Sequence, residues 1–140
     1  EFRVHFMRDV YYGSHIDSTL VALRPGLVLA NPERIDDETI PDFLREWEVI
    51  YSPPMENQAR HSATYLEKAI GSEWIDMNLF SLGPDTVVVD SDQTALITLL
   101  ETKGMNVVPL KLRHSRMMGG GFHCVTLDTR RRGAMESYFS

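Results

Sequence analysis

The residue types that could do chemistry lie far apart in this sequence. Cys124, the only cysteine, directly follows the run Gly-Gly-Gly-Phe-His at 119–123. Three successive glycines permit positive φ angles and a close approach of the main chain to a ligand or another strand. A free cysteine is most often a small buried hydrophobe. His123 is adjacent to Cys124, and a second histidine, His15, lies far upstream. These histidines favour the alternative, in which Cys124 has a chemical role.

The elements that must position these residues form an internal repeat. With a constant offset of 59 positions, the residues around His15 fall on those around Trp74. Residues 15–52 predict two strands, a helix and a closing strand, and residues 74–111 predict the same order. Repeats of this kind stack or surround an axis, so the chain reads as successive ββαβ units.

Periodicity places individual elements within this scheme. Apolar residues with helical spacing predict helices at 36–47 and 93–103. Alternation of apolar and polar residues predicts a first strand at 2–7 and another at 125–128. The second of these opens a partial third unit at 122–140, of which only the first strand is plain.

The repeat also makes a geometric prediction. His15 stands before the first strand of one unit, and Cys124 stands at the entrance of the first strand of the third. If the units surround an axis, such entrance positions converge, so His15 and Cys124 would meet at the centre. The alternative is that His15 is a turn histidine before a strand and takes part in no chemistry.

Composition limits the classes of function. The length of 140 residues and the ordinary apolar and charged fractions fit a single globular domain. The net charge of −6 argues against a general nucleic-acid binder. We find no apolar run of membrane-spanning length and no signal peptide. A single cysteine excludes an internal disulfide and is typical of a reducing, cytoplasmic compartment.

Two stretches of the chain resemble the glycine (arginine:glycine) amidinotransferase family. Residues 119–124, Gly-Gly-Gly-Phe-His-Cys, followed by 128–133, resemble its C-terminal signature. Residues 15–19, His-Ile-Asp-Ser-Thr, followed by 25–29 and 31–34, resemble its histidine motif. The resemblance covers nearly the whole chain and is nearest to the bacterial and cyanobacterial members.

The resemblance implies an α/β fold, the pentein-type α/β propeller of five ββαβ modules around a pseudo-fivefold axis. Residues 1–140 would form the C-terminal part of one such domain, with two full modules and the start of a third. In the family, the aspartate that orients the catalytic histidine lies upstream of the histidine motif, and this sequence lacks that region. We therefore expect either a fragment or a propeller that modules from another polypeptide complete. A homodimer is one form of the second alternative.

The resemblance also implies an activity, the transfer of the amidino group of L-arginine to an acceptor amine, with release of ornithine. Glycine, another amino acid and an aminocyclitol phosphate all stay open as the acceptor. Cys124 would be the nucleophile and would become an amidino-cysteine. His15 would act first as the general acid and then as the general base. Both substrates are small molecules, and the family chemistry needs no cofactor, metal ion, nucleic acid or membrane.

The same motifs imply residues that bind the donor. Asp17 would pair with its guanidinium group, and Arg34 and Ser72 would hold its α-carboxylate. Each has a plainer alternative: a solvated carboxylate for Asp17, a lone surface arginine for Arg34 and a helix-end residue for Ser72. Strand alternation would point the side chain of His123 away from that of Cys124, which indicates a structural role.

Three other functions stay open. An arginine deiminase or dimethylargininase of the same superfamily would pass the amidino carbon to water and give citrulline, although the Gly-Gly-Gly-Phe-His-Cys signature favours transfer. A non-catalytic fragment would keep the modules as a structural or interaction unit. A metal site of His114, His123 and Cys124 is a third alternative, but this spacing matches no standard zinc pattern.

Overall fold

The computed structural model of the chain describes residues 4–8, 10, 15–56 and 71–130. Within these residues the fold is α/β and contains two sheets of three strands each. None of the helices in this part of the chain is long and apolar enough to cross a membrane. Residues 131–140 of the predicted third unit, and the start of the strand predicted at 2–7, lie outside the described residues.

The first sheet consists of β1 (Leu20–Arg24), β2 (Leu27–Ala30) and β3 (Glu48–Tyr51), in that order. β1 and β2 are antiparallel and are joined by a two-residue turn. In this turn Gly26 has a φ of +82°, a conformation that glycine adopts without steric cost. β3 pairs with β2 in parallel. The hairpin and the closing strand predicted within residues 15–52 are therefore present.

The second sheet has the same strand order and pairing as the first. It consists of β4 (Phe80–Gly83), β5 (Thr86–Asp90) and β6 (Asn106–Leu110), with β4 and β5 antiparallel and β5 and β6 parallel. Helix α1 (Thr94–Thr102) connects β5 to β6 and buries its apolar side chains against the sheet. The helix predicted at 93–103 is therefore confirmed.

The helix predicted at 36–47 is wrong. The structure has turns and a single 3₁₀ turn, Asp42–Leu44, in this region. The side chain of Asp36 accepts hydrogen bonds from the N–H groups of Glu38 and Thr39, at 3.0 and 2.8 Å, in the manner of a helix N-cap, but the turn that it caps does not continue. Pro41 is extended (ψ 137°), lacks an N–H donor and disfavours helical geometry at the residue before it.

The strands predicted at 2–7 and 125–128 are also wrong where the structure describes them. Residues 4–8 have no regular secondary structure, and the second segment is the end of a turn followed by irregular chain. An extended segment needs a partner strand to satisfy its backbone groups, and alternation of side chains does not supply one. Val125 and Leu127 are 62% and 86% exposed, so their apolar side chains cover no sheet.

One hydrophobic core joins the two sheets. Its fully buried members include Leu23, Leu27, Leu29 and Ile50 from the first unit and Met77, Leu79, Val87, Val89, Leu96 and Leu100 from the second. A smaller cluster covers the other face of β2, so that strand is buried on both faces. The packing fixes the starts of β1 and β4. A 3₁₀ turn precedes each strand, Ile16–Ser18 before β1 and Ile75–Met77 before β4, and the two turns contact each other.

Candidate active site

Three side chains that could do chemistry meet beside the start of β1. His15 and Asp17 belong to the segment of the 3₁₀ turn Ile16–Ser18, and Cys124 lies in a turn at 122–125. An imidazole nitrogen of His15, a carboxylate oxygen of Asp17 and Sγ of Cys124 all lie within 4.8 Å of one another. The structure therefore brings together His15 and Cys124, which the repeat placed at equivalent entrances.

Asn78 connects this group of side chains, and the sequence did not indicate it. Its Nδ2 group donates hydrogen bonds to Oδ2 of Asp17 and to Sγ of Cys124, the latter at 3.2 Å. Its Oδ1 accepts from the backbone N–H of Cys124 at 3.1 Å, and its carbonyl oxygen accepts from the N–H of His123 at 3.3 Å. Asn78 is 2% exposed. The one available signal was its place in the repeat, where it is the counterpart of Thr19.

The glycine run lets the main chain approach Asn78 and Cys124 closely. A Cβ atom on Gly121 would lie 2.5 Å from the carbonyl oxygen of Asn78 and 2.7 Å from its Cβ. A Cβ atom on Gly120 would lie 2.7 Å from Cβ of Cys124. Gly119 ends the short helix α2 (Ser115–Met118) with a φ of +72°. The glycines therefore serve close packing around the thiol as well as chain reversal.

Gly121→Ala is expected to destabilise the fold by about 1 to 3 kcal/mol, because the added methyl group overlaps the backbone of Asn78. Urea unfolding measures this change. Gly83→Ala is the matched control, since a Cβ atom there would meet nothing within 4 Å. Equal unfolding midpoints for the two variants would contradict the close contact between Gly121 and Asn78.

Arg34 and Asn31 hold the segment that carries His15 and Asp17. Arg34 donates from Nη1 to the carbonyl oxygen and Oγ of Ser18, at 2.8 and 3.0 Å, and to Oγ1 of Thr19 at 3.0 Å. Asn31, which is fully buried, donates from Nδ2 to the same carbonyl oxygen at 2.9 Å. Arg34 is therefore a half-buried structural support, in contrast to the lone surface arginine of the plainer alternative.

Ser72 begins the turn that leads to Ile75–Met77. Its Oγ accepts a hydrogen bond from the N–H of Trp74 at 3.1 Å, which is the behaviour of a residue at the start of a turn. Trp74 in turn donates from Nε1 to the carboxylate of Glu33 at 3.0 Å. A cleft of about 220 Å³ lies beside this contact and is lined by Pro32, Glu33, Pro54, Met55, Glu73 and Trp74. Glu33 precedes Arg34 in the sequence and Glu73 follows Ser72, so the cleft lies next to both of these residues.

The placement predicted for His123 is wrong. Its Nδ1 lies 3.8 Å from Oδ2 of Asp17, so the side chain approaches the same carboxylate that Asn78 contacts. Strand alternation does not apply here, because residues 122–125 form a turn. The imidazole is 68% exposed and forms an ion pair with Asp17 when it is protonated.

A buried carboxyl group, Asp76, lies behind the site. Burial raises its pKa to about 7, and repulsion from the carboxylate of Asp90 adds to the shift. Within the described residues neither carboxylate oxygen has a hydrogen-bond partner, and the residue is 7% exposed. A cavity of about 10 Å³, enough for one water molecule, is lined by Asp76, Asp90, Asn78 and Gly121 among others.

The arrangement suits nucleophilic catalysis. A thiol beside an imidazole and a carboxylate can attack an electrophilic carbon while the imidazole moves a proton. The same three groups also offer a nitrogen, an oxygen and a sulfur to a metal ion. Asn78, however, directs N–H groups at both Asp17 and Cys124, which stabilises negative charge on those atoms and competes with a cation. The donor set therefore fits a nucleophile better than a metal site.

Comparison with known proteins gives close relatives over nearly the whole chain. The chain is 54% identical over 137 residues to inosamine-phosphate amidinotransferase 1 of Streptomyces griseus, and the alignment covers 98% of this chain and 38% of the relative. It is 34% identical over 139 residues to the L-arginine:L-lysine amidinotransferase of Pseudomonas savastanoi pv. phaseolicola, covering 99% of this chain and 36% of the relative. The chain thus spans well under half the length of these relatives. No protein-family model matches it.

The fold agrees with the sequence comparison. The solved structure of an inosamine-phosphate amidinotransferase from Streptomyces griseus superimposes with a TM-score of 0.91 at 55% identity, covering 99% of this chain and 39% of that one. At this level of identity, sequence and fold point to common descent. The chain is therefore homologous to the amidinotransferases over the part of those proteins that it spans.

Proposed function

We propose that this chain carries the nucleophile and the acid–base histidine of an enzyme that moves the amidino group of L-arginine to an acceptor amine. The observation that carries the proposal is the convergence of His15, Asp17 and Cys124 within 4.8 Å. The relatives supply the class of reaction, since all those named above are amidinotransferases and one is named for L-arginine. The cysteine intermediate described next belongs to the proposal.

In the first half-reaction, the thiolate of Cys124 attacks the guanidinium carbon of L-arginine. A C–S bond forms, and the bond from that carbon to the side-chain nitrogen breaks. Protonated His15 gives its proton to the departing nitrogen, so ornithine leaves as a neutral amine. The guanidinium is a poor electrophile because its charge is delocalised, and a covalent intermediate divides one difficult transfer into two easier steps.

In the second half-reaction, the neutral acceptor amine attacks the amidino-cysteine. The new C–N bond forms, His15 accepts the proton that the acceptor loses, and the C–S bond breaks to restore the thiolate of Cys124. Charge and protons balance over the cycle, and His15 ends in the protonated form in which it began. Asp17 lies where it can pair with the planar guanidinium beside Sγ.

The donor's α-carboxylate is assigned to Arg34 and Ser72, which the family resemblance implies. The guanidinium of Arg34 is a planar set of donors, which suits a carboxylate. Arg34 would combine this role with its observed support of Ser18 and Thr19. The acceptor is glycine or a related amine, and we propose that further ββαβ modules, from outside these residues or from a second copy, complete a pentein-type propeller around it.

The products distinguish transfer from hydrolysis. With L-arginine and glycine, or lysine, as acceptor, we expect ornithine together with a new guanidino compound in equal amounts. Chromatography of the derivatised amino acids measures both. Citrulline as the product would contradict transfer and would show a guanidine hydrolase instead. A folded sample that releases neither ornithine nor citrulline from L-arginine would be a non-catalytic unit, since the first half-reaction needs no acceptor.

A further inference from the structure

We propose that Asn78 is a catalytic residue that stabilises the thiolate of Cys124 and holds Sγ beside Asp17. The inference deepens the proposed function, on which it rests through the role of Cys124. It starts from the fact that one buried amide contacts both the sulfur and the carboxylate of the site. It also contacts the backbone N–H of the nucleophile itself.

The orientation of the Asn78 amide is fixed by its partners. The backbone N–H of Cys124 is a donor only, so the atom facing it at 3.1 Å must be Oδ1. Nδ2 then faces Asp17 and Sγ of Cys124, and its two hydrogens can serve one partner each. The reverse orientation would set a carbonyl oxygen against the carboxylate of Asp17 and an NH₂ group against the N–H of Cys124, and would lose both of those hydrogen bonds.

The contact to sulfur favours the reactive form of the cysteine. Nδ2 donates to Sγ at 3.2 Å, so the sulfur acts as an acceptor in this contact. A neutral thiol is a weak acceptor, whereas hydrogen bonds to ionised groups are roughly twice as strong as those between neutral groups. The amide therefore stabilises the thiolate more than the thiol.

The charged groups beside Sγ are Asp17, which disfavours a thiolate, and His15, which favours one when it is protonated. The carboxylate oxygen of Asp17 lies within 4.8 Å of Sγ, and like charges at such a distance disfavour each other. The Nδ2 group of Asn78 faces both negative centres and offsets part of this repulsion. Asn78 can do so before any guanidinium group has bound, so the nucleophile is formed in the absence of the donor substrate.

Alkylation by iodoacetamide tests this inference, because Cys124 is exposed and is the only cysteine in the 140 residues. Asn78→Asp keeps the size and the acceptor oxygen but loses the N–H donors. At about pH 7 we expect the alkylation rates of Asn78→Asp and Asn78→Ala to be lower than that of the wild type, by a factor of up to about ten. At about pH 10, where thiols in general are largely thiolate, the difference between the rates should narrow.

The control variant is Gln93→Glu, which also turns a buried amide into a carboxyl group. Gln93 is 1% exposed, and its side-chain amide accepts a hydrogen bond from the N–H of Glu56 at 2.8 Å and donates one to the carbonyl oxygen of Glu56 at 3.0 Å. Its alkylation rate should match that of the wild type. Asn78 variants that react more slowly by the same factor at both pH values would show a loop support without influence on ionisation, and would overturn the inference. Equal rates at about pH 7 would overturn it as well.

One further comparison of alkylation rates tests the inference when the Asn78 variants do not fold. If Asn78→Asp and Asn78→Ala do not fold by circular dichroism, the His15→Gln variant, which keeps Asn78 but removes the imidazole, is compared in its native state and unfolded in urea. The native chain should react faster at about pH 7, since its thiolate is stabilised; a slower native rate would overturn the inference. Iodoacetamide needs no arginine or acceptor, so loss of amidino transfer and loss of thiolate stabilisation are separate results.

Discussion

Replacement of His15 by glutamine is expected to slow amidino transfer by about 10²- to 10⁴-fold, the usual contribution of a general acid–base group. Glutamine can still form hydrogen bonds, but it cannot give a proton to the departing ornithine or take one from the acceptor. Steady-state rates of ornithine release measure the effect. The affinity for L-arginine, measured by calorimetry, should change much less, because His15 acts on the proton that moves during the reaction and does not hold the bound substrate.

His114→Gln is the matched control for this prediction. His114 is exposed, stands before α2 and does not belong to the group formed by His15, Asp17 and Cys124. Its replacement should leave the rate within about twofold of the wild type, as expected of a surface position. Equal losses in the His15 and His114 variants would contradict the acid–base role of His15.

Asp76→Asn is expected to stabilise the fold at neutral and alkaline pH. The folded-state pKa of Asp76 is raised to about 7 by burial, above the ordinary value of 3.8. The native state therefore binds a proton that the unfolded state releases between these values. The contribution of Asp76 to the free energy of unfolding is therefore greatest below about pH 4, declines as pH rises and is lost above about pH 7, a change on the order of 4 kcal/mol.

Asparagine is neutral at every pH, so the variant should lack this decline. Urea unfolding followed by tryptophan fluorescence at about pH 5, 6, 7 and 8 gives the two stability curves, and the difference between them should widen with pH up to about 7. Asp42→Asn is the control, since that side chain is 94% exposed in a surface ion pair with Arg45. Parallel curves for Asp76→Asn and the wild type would contradict the buried, partly protonated carboxyl group.

The sheets and the meeting of the distant side chains could be predicted because they depend on repeated local patterns. Alternating strands, turn residues such as Gly26 and the offset between the units of His15 and Trp74 are all visible in the sequence. The helix at 36–47 could not be excluded by periodicity, because the contacts of Asp36 are those of a helix start, whereas Pro41 ends the turn through backbone sterics.

The details of the site depend on contacts that no local pattern encodes. Asn78 contacts Cys124 across 46 positions of the sequence, and it belongs neither to the motif at 15–19 nor to the motif at 119–124. The wrong expectation for His123 has the same origin, since a strand was assumed where the chain forms a turn against Asn78. The residue types of a nucleophile and its histidine are visible in sequence, whereas the groups that orient them are visible only in the fold.

Intact-mass analysis after incubation with L-arginine, without acceptor, tests most directly whether Cys124 carries the amidino group. We expect ornithine release and a mass increase of one amidino group, which peptide mapping places on Cys124. Cys124→Ser should show neither, and addition of an acceptor amine should remove the adduct from the wild type. Ornithine release with no adduct on Cys124, or an adduct that persists in Cys124→Ser, would contradict the covalent mechanism.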